Sequence, residues 1–194
     1  MAYRNGTYIA FDGLGETNPV LSDFKYFADI KAWNANNNIE FAYVDSHEKT
    51  YAVRDTSLDA TLESRIKERL SYSKNMVVIL SSDTRKSGSK LSYEIENAVD
   101  NYKLPLIIAY VEYKAIADPQ KLSSYWPTAL SKRINNTTAN AIHIPFAKNA
   151  LLDAIGQFDV LSMKLNGSVN HYSHEAHEAF GYLTCYDTFC NIRK

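Results

Sequence analysis

MVVIL, at residues 76–80, contains no polar side chain. Such a run is typical of a central β-strand that is covered on both faces. Four further short runs, rich in β-branched, aromatic or aliphatic residues, are separated by longer amphipathic stretches. They occupy residues 8–11, 39–45, 106–111 and 141–146. Strands that alternate with helices in this way predict βαβ units and a parallel sheet.

The intervening stretches carry apolar side chains at helical spacing. They occupy residues 20–33, 56–70, 91–102 and 148–158. Thr56 and Asp59 stand three apart before an apolar stripe, which resembles a capping box and predicts a helix start. Pro145 in the fifth run predicts an edge strand. Five strands with right-handed crossovers predict an α/β, flavodoxin-like, doubly wound parallel sheet in the order 2-1-3-4-5.

We expect residues 1–158 to form one α/β domain, with an insertion at about 114–140 before the fifth strand. Residues 159–194 follow the last core helix as a C-terminal extension, which we expect to pack on the same domain. A chain of 194 residues is long enough to bury one substantial core.

Charge and hydropathy exclude several classes of partner. The chain has 21 Lys and Arg against 22 Asp and Glu, so it lacks the basic excess expected of a nucleic-acid-binding protein. The longest apolar run, residues 104–111, is far shorter than the ~20 residues that span a bilayer, and the first residues lack an apolar signal region. We therefore expect no membrane or nucleic-acid partner and a cytoplasmic location. Cys185 and Cys190 are too few for a disulfide framework or a four-ligand zinc site, which predicts free thiols and no metal.

Ligands of such sheets bind at the carboxyl ends of the strands, where the strand order reverses. The loops after residues 11 and 80 then border one crevice. Gly13 and Gly15 follow the first strand, but the third glycine of a dinucleotide fingerprint would fall at Asn18, and the chain has no lysine-bearing phosphate loop. A bound redox dinucleotide cofactor is therefore not expected.

Glu94 lies at the edge of the apolar stripe of the helix predicted after the third strand. If this helix begins at residue 91, Glu94 is in its first turn, where the helix dipole favours a charged carboxylate. By spacing alone, the interpretation that we favour is a solvated glutamate that only stabilises the helix.

Three stretches resemble a TIR-like domain, in particular the TIR-like subunit of the bacterial Thoeris anti-phage system. They are residues 8–12, residues 57–81 and the sequence SGSKLSYEIE at residues 87–96. The resemblance covers about residues 5–113. Its most specific element is YEI at residues 93–95, which matches the position where enzymatic TIR domains carry their glutamate.

The resemblance implies an enzyme of the NAD glycohydrolase or ADP-ribosyl cyclase type. Such an enzyme cleaves the bond between nicotinamide and ribose in NAD and makes a cyclic ADP-ribose-type signal, which a separate effector protein senses. NAD is then the substrate, and no additional cofactor is implied. Further expected partners are a second copy of the chain or a phage-derived trigger.

The resemblance also assigns residues to roles. Glu94 is the catalytic glutamate by its position. The residues expected to line the substrate cleft are Phe11, Asp12, Asp45, Ser82 and Tyr93. Many relatives carry an aromatic residue four positions before the glutamate, where this chain has Lys90. Stacking on the substrate is therefore expected from Phe11, Tyr93 or Tyr110.

One carboxylate suffices for this chemistry. Loss of nicotinamide leaves an oxocarbenium-like ribose, which a fixed carboxylate stabilises. The nicotinamide of NAD is already a cationic leaving group, so no general acid has to protonate it. Glu94 must be ionised for this role, and a helix N-terminus favours ionisation.

Two alternatives of other classes remain at this point. The first is a non-catalytic TIR-like module for interaction and assembly, because fold alone does not decide function. The second is a receiver-like signalling domain, which has the same strand order. A receiver requires a tight acidic pair after its first strand, whereas Gly13 stands beside Asp12 here.

Two further motifs have alternative interpretations. The basic loop at residues 85–90 is either a solvated connection or a set of donors for the pyrophosphate of NAD. His171, His174 and His177 stand three apart, and on a helix the outer two lie too far apart to share one zinc ion. A packing helix over residues 171–180 is the interpretation that we favour.

Overall fold

The computed structural model describes residues 4–15, 23–34, 43–44, 59–162 and 164–194. The predicted capping box at Thr56 lies outside these ranges. The strands are β1 (Gly6–Ala10), β2 (Tyr43–Val44), β3 (Ser73–Leu80), β4 (Leu106–Tyr110), β5 (Tyr113–Ala115), β6 (Ala141–Pro145), β7 (Asn170–His171) and β8 (Ile192–Arg193). The helices are α1 (Phe24–Asn34), α2 (Asp59–Ser71), α3 (Lys90–Asp100), α4 (Thr128–Asn135), α5 (Lys148–Gln157) and α6 (His174–Ala179), with a 3-10 helix at Pro119–Tyr125.

Six strands form one parallel sheet in the order β2-β1-β3-β4-β6-β7. The fifth predicted strand is β6, so the predicted order 2-1-3-4-5 is confirmed, with β7 added beside it. The prediction that Pro145 marks an edge strand was wrong, because β7 pairs with Ile142 and His143. Pro145 is the last residue of β6 and lies beyond that pairing.

Both faces of the sheet are buried, and β3 shows how. Met76, Val78 and Leu80 belong to the core under α2, α3 and α4. Val77 and Ile79 point the other way, into the core under α1 and α5. A strand whose two sets of side chains are both covered needs apolar residues at every position, which explains the run at residues 76–80.

The residues after α5 contribute two strands, one to the main sheet and one to a separate two-stranded sheet. β7 pairs with β6, and β8 pairs antiparallel with β5, with Tyr113 opposite Arg193. The helix predicted at residues 171–180 is shorter, because His171 belongs to β7 and α6 begins at His174. His177 of α6 is fully buried and accepts a hydrogen bond from the backbone N–H of Ile116 at 3.3 Å.

A buried hydrogen-bonded chain links the insertion, the sheet and the extension. The Trp126 indole donates to the Tyr110 hydroxyl at 2.7 Å, and that hydroxyl lies 2.8 Å from His143 Nδ1. His143 Nε2 lies 2.9 Å from the carbonyl oxygen of Ser168. Burial lowers the pKa of His143 to about 4, so the ring is neutral and satisfies both contacts. Tyr110 thus fills the core and offers no face for a substrate to stack on.

Candidate functional site

The carboxyl ends of β1 and β3 lie side by side, at the point where the strand order reverses. Residues 11–15 follow β1, and residues 81–89 follow β3 and lead into α3. The two loops and the first turns of α3 therefore share one end of the sheet. The charged groups described below all belong to this end of the molecule.

Glu94 is deeper in the structure than the sequence suggested. α3 begins at Lys90, with Ser89 as its N-cap, so Glu94 is the fifth helical residue and lies in the second turn. The prediction of a first-turn position was therefore wrong. The residue is only 5% exposed, rather than at the edge of the buried face. The helix dipole weakens beyond the first turn and contributes little at this depth.

Tyr8 of β1 is the hydrogen-bond partner of Glu94. Its hydroxyl donates to Glu94 Oε1 at 2.6 Å, and both residues are buried. The alternation of β1 directs Tyr8 and Ala10 to the face that α3 covers, which brings Tyr8 under the helix. Sequence analysis missed this contact because it joins residues 86 positions apart.

The protonation of Glu94 is set mainly by burial. Desolvation raises the pKa of Glu94 to about 7, while the hydrogen bond from Tyr8 and the charge of Arg69 act in the opposite direction. We expected the helix N-terminus to keep Glu94 ionised. That expectation was wrong, because burial and not the helix dipole dominates the pKa of Glu94. Near neutral pH, the charged and the neutral carboxyl are both populated.

Asp12 is a second buried carboxylate, and it forms an ion pair with Arg85. Arg85 donates to it from Nε at 3.0 Å, from Nη2 at 2.7 Å and from its backbone N–H at 2.9 Å. The backbone N–H of Leu14 donates a further bond at 2.9 Å. Burial alone would raise the pKa of Asp12, but the bonds from Arg85 and Leu14 outweigh it and hold the pKa below its ordinary value. The ion pair ties the loop after β1 to the loop after β3.

Asp23 is a third buried carboxylate at this end, and sequence analysis missed it. Ser81 Oγ donates to it at 2.9 Å and Thr84 Oγ1 at 3.3 Å. Burial raises the pKa of Asp23 to about 6, and the two hydroxyl donors moderate the rise. The residue fell inside the helix predicted at residues 20–33, and helical spacing carries no signal for a contact with a distant loop.

The structure separates Phe11 from Glu94. Phe11 belongs to the core on the opposite face of the sheet, with its ring centroid 5.6 Å from that of Phe27 and 5.9 Å from that of Phe24. A ligand beside Glu94 lies across the sheet from this ring. Phe11 therefore supports the fold around α1 and is not carried into the proposal below.

Ser82 lies near the start of the loop that leads into α3, and Tyr93 lies in the first turn of α3. Ser82 is exposed, and its backbone N–H donates to Glu112 Oε1 at 2.7 Å. The ring of Tyr93 is partly exposed, and the ammonium of Lys90 lies 5.9 Å from its centroid. Of the aromatic candidates, only Tyr93 is on the same helix as Glu94. Asp45 lies outside the described residues.

A family model described as "Thoeris protein ThsB, TIR-like domain" matches residues 8–116, more than half of the chain. The chain belongs to this family. The suspected Thoeris resemblance is thereby confirmed, and the receiver-like alternative is set aside. The matched residues of this Thoeris TIR-like protein include Asp12, Arg85 and Glu94, whereas the extension from residue 159 lies beyond the match.

None of the helices within residues 4–15, 23–34, 59–162 and 164–194 is both long and apolar enough to cross a membrane.

Proposed function

We propose that this Thoeris TIR-like protein cleaves NAD between nicotinamide and ribose and makes a cyclic ADP-ribose-type signal for a separate effector protein. Glu94 is the proposed catalytic carboxylate. One observation carries the proposal: Glu94 is buried at the ligand-binding end of the sheet and, within the described residues, forms no ion pair. The family membership supports it, because the match includes Glu94 and the strands that position it.

A buried carboxyl that forms no ion pair with any described residue suits a cationic substrate. The positive nicotinamide ring of NAD would lower the pKa of Glu94 from about 7, so binding itself would favour the ionised form. Substrate and carboxylate would then each relieve the cost of burying the other. Tyr8 keeps Oε1 in place through its hydrogen bond, which fixes the direction of the carboxylate.

The proposed step balances without an external acid. The bond between C1′ of the ribose and the nicotinamide nitrogen breaks, and both electrons leave with the nitrogen, whose positive charge is lost. The positive charge that develops on C1′ and the ring oxygen is stabilised by the charged Glu94. A nucleophile of ADP-ribose itself then bonds to C1′, and where that nucleophile is a hydroxyl group its proton passes to the Glu94 carboxylate. A site from which water is excluded favours this cyclisation over hydrolysis, and the 5% exposure of Glu94 suits that requirement.

The test measures nicotinamide release from NAD by the wild type, Glu94→Gln and Glu96→Gln, each with and without extract of phage-infected cells as the trigger. Glu96 is a matched control because it lies two residues further along α3 and is exposed. We expect Glu94→Gln to lose at least about 100-fold in rate, as for removal of a key charge-stabilising group. Glu96→Gln should stay within about twofold, as expected of an exposed residue outside the site.

Mass spectrometry of the product distinguishes cyclic from linear ADP-ribose. Equal rates for Glu94→Gln and the wild type would refute the assignment of Glu94. Release by none of the proteins, even with the trigger, would favour the non-catalytic assembly module instead.

A further inference from the structure

The guanidinium of Arg85 binds Asp12 through one of its edges, and another edge has no hydrogen-bond partner among the described residues. Its Nε and Nη2 atoms bind the carboxylate of Asp12 at 3.0 and 2.7 Å, which fixes the plane of the guanidinium. The third nitrogen, Nη1, makes no hydrogen bond to any of the described residues. The Arg85 side chain is 39% exposed, whereas the Asp12 side chain is fully buried.

The available edge lies against the loop that follows β1. A Cβ atom built on Gly15 would stand 3.5 Å from Arg85 Nη1, so the backbone of this loop passes beside the guanidinium. Gly15 has a φ of +76°, a conformation that side chains disfavour, and its missing side chain leaves Nη1 uncovered on that side. The result is a fixed cation at the carboxyl end of β1, whose Nη1 donors meet no acceptor among the described residues.

Glu94 and Arg85 lie at the same end of the sheet, and the charge of Asp12, the partner of Arg85, acts on the pKa of Glu94. α3 starts at the end of the sheet where the Asp12 and Arg85 pair joins the two loops, and Glu94 is four residues, or about 6 Å, along the helix axis from its start. In NAD, the pyrophosphate is one ribose away from the bond that Glu94 is proposed to cleave. A dinucleotide that places its nicotinamide ribose at Glu94 can therefore extend its pyrophosphate toward this rim.

We infer that Arg85 binds the pyrophosphate of the dinucleotide substrate through its Nη1 edge, while Asp12 holds the guanidinium in position. This inference rests on the proposed function of Glu94. Arginine suits the role because its planar donors engage a carboxylate and a phosphate on different edges at the same time. Lysine, as a single point charge, cannot do both.

The expected contribution is moderate, since Asp12 offsets much of the positive charge. The pyrophosphate is then bound by directed N–H donors rather than by net positive charge. The gain in affinity comes from donors that are already held in position before the substrate binds. Two charge-assisted hydrogen bonds of this kind are consistent with about a tenfold effect on KM.

The experiment compares Arg85→Lys with the wild type on two substrates, NAD and nicotinamide riboside, which has no phosphate. We expect KM for NAD to rise about tenfold with kcat within about threefold, and kcat/KM for nicotinamide riboside to stay unchanged. Lys121→Gln is the control, because it removes a positive charge from a side chain outside this loop that is 77% exposed, and both kinetic constants should stay within about twofold. Equal losses on both substrates in Arg85→Lys would indicate a purely structural role and overturn the inference.

A binding measurement separates this inference from the proposed function. Calorimetry with ADP-ribose is performed on Glu94→Gln and on Glu94→Gln combined with Arg85→Lys. We expect the second protein to bind about tenfold more weakly. If the wild type never releases nicotinamide but this difference is found, the pyrophosphate site stands and the proposed reaction fails. If NAD is cleaved and neither KM nor ADP-ribose affinity depends on Arg85, the proposed reaction is supported and the proposed role of Arg85 in binding the pyrophosphate is refuted.

Discussion

The loops around Asp12 and the second turn of α3 around Glu94 each bury a carboxylate at the same end of the sheet, but they stabilise it in opposite ways. Asp12 has a bidentate arginine and two backbone N–H donors, and its pKa is lowered. Glu94 has a neutral tyrosine donor, and its pKa is raised to about 7. Asp12 therefore stays charged near neutral pH, where Glu94 changes its charge.

The difference separates a structural carboxylate from a reactive one. A carboxylate whose lone pairs are already occupied by a cation has little capacity left for a substrate, and its removal costs stability. A carboxylate with one neutral partner destabilises the folded protein when it ionises, and a cationic ligand relieves that cost. For this reason, we describe Asp12 as the residue that positions Arg85 rather than as a direct substrate contact.

The largest effect is expected from breaking the ion pair on its cationic side. Arg85→Met leaves the buried carboxylate of Asp12 with backbone donors only, and we expect a loss of about 3 kcal/mol in the free energy of unfolding at pH 8. Urea unfolding measures it, with Lys86→Met as the exposed neighbour and control. A loss below about 1 kcal/mol would show that the pair is no stronger than a surface salt bridge.

Glu94→Gln is expected to change the free energy of unfolding in the opposite direction, so that this variant is more stable than the wild type at pH 8. The pKa of this carboxyl is 4.5 in the unfolded chain and about 7 in the folded protein, so the folded state holds the proton more tightly. Wild-type stability therefore falls as the pH rises from about 4.5 to about 7 and is level above that. Gln cannot ionise and should gain about 2 kcal/mol at pH 8 and little at pH 5.

Urea midpoints at pH 5, 6, 7 and 8 trace this difference between Glu94→Gln and the wild type. A difference that does not change with pH would mean that Glu94 titrates in the folded protein as it does in the unfolded chain.

Tyr8→Phe sharpens the comparison by removing the neutral donor from Glu94. The hydrogen bond favours the charged form, so its loss should raise the pKa of Glu94 further and move the rising limb of the activity profile by about one pH unit toward alkaline values. Stability should fall by about 1 kcal/mol. Tyr172→Phe is the matched control, because Tyr172 donates to Asp153 at 2.5 Å in another part of the chain. An unchanged pH profile in Tyr8→Phe would contradict the role of this bond.

The smallest effect is expected at Lys90, the position where many relatives have an aromatic residue. Its ammonium lies 3.4 Å from Glu63 Oε1, and both side chains are more than a third exposed. Lys90→Ala should change the free energy of unfolding by less than about 0.5 kcal/mol in urea unfolding. A larger loss would show that Lys90 contributes more to stability than a partner in a surface salt bridge does.

The sheet was predictable because burial on both faces marks its strands in the sequence. The run at residues 76–80 and the alternation of short and long stretches suffice for the order of the five predicted strands, which are β1 to β4 and β6. β7 has no such mark: Asn170 and His171 are polar, and the strand is held by backbone pairing and by the Asn170 amide, which donates to the Ala141 carbonyl at 2.9 Å. Hydrophobic periodicity carries no information about a strand of this kind.

The site was predictable in part. Helical projection directed attention to Glu94, but its depth depends on which elements cover it, and the Tyr8 contact joins distant parts of the chain. One signal was present and not used. In a strand, alternate residues face opposite sides, so Phe11 has to point away from the face that Tyr8 occupies.

The extension has a consequence for self-association. Open sheet edges expose N–H and C=O groups to which another strand can add. β7 covers part of β6, and as a strand of two residues it presents few backbone groups of its own. The final residue of β6 is Pro145, which has no N–H to offer. Contacts between copies on this flank would accordingly be built from side chains, and oligomers would differ in character from those that grow by strand addition.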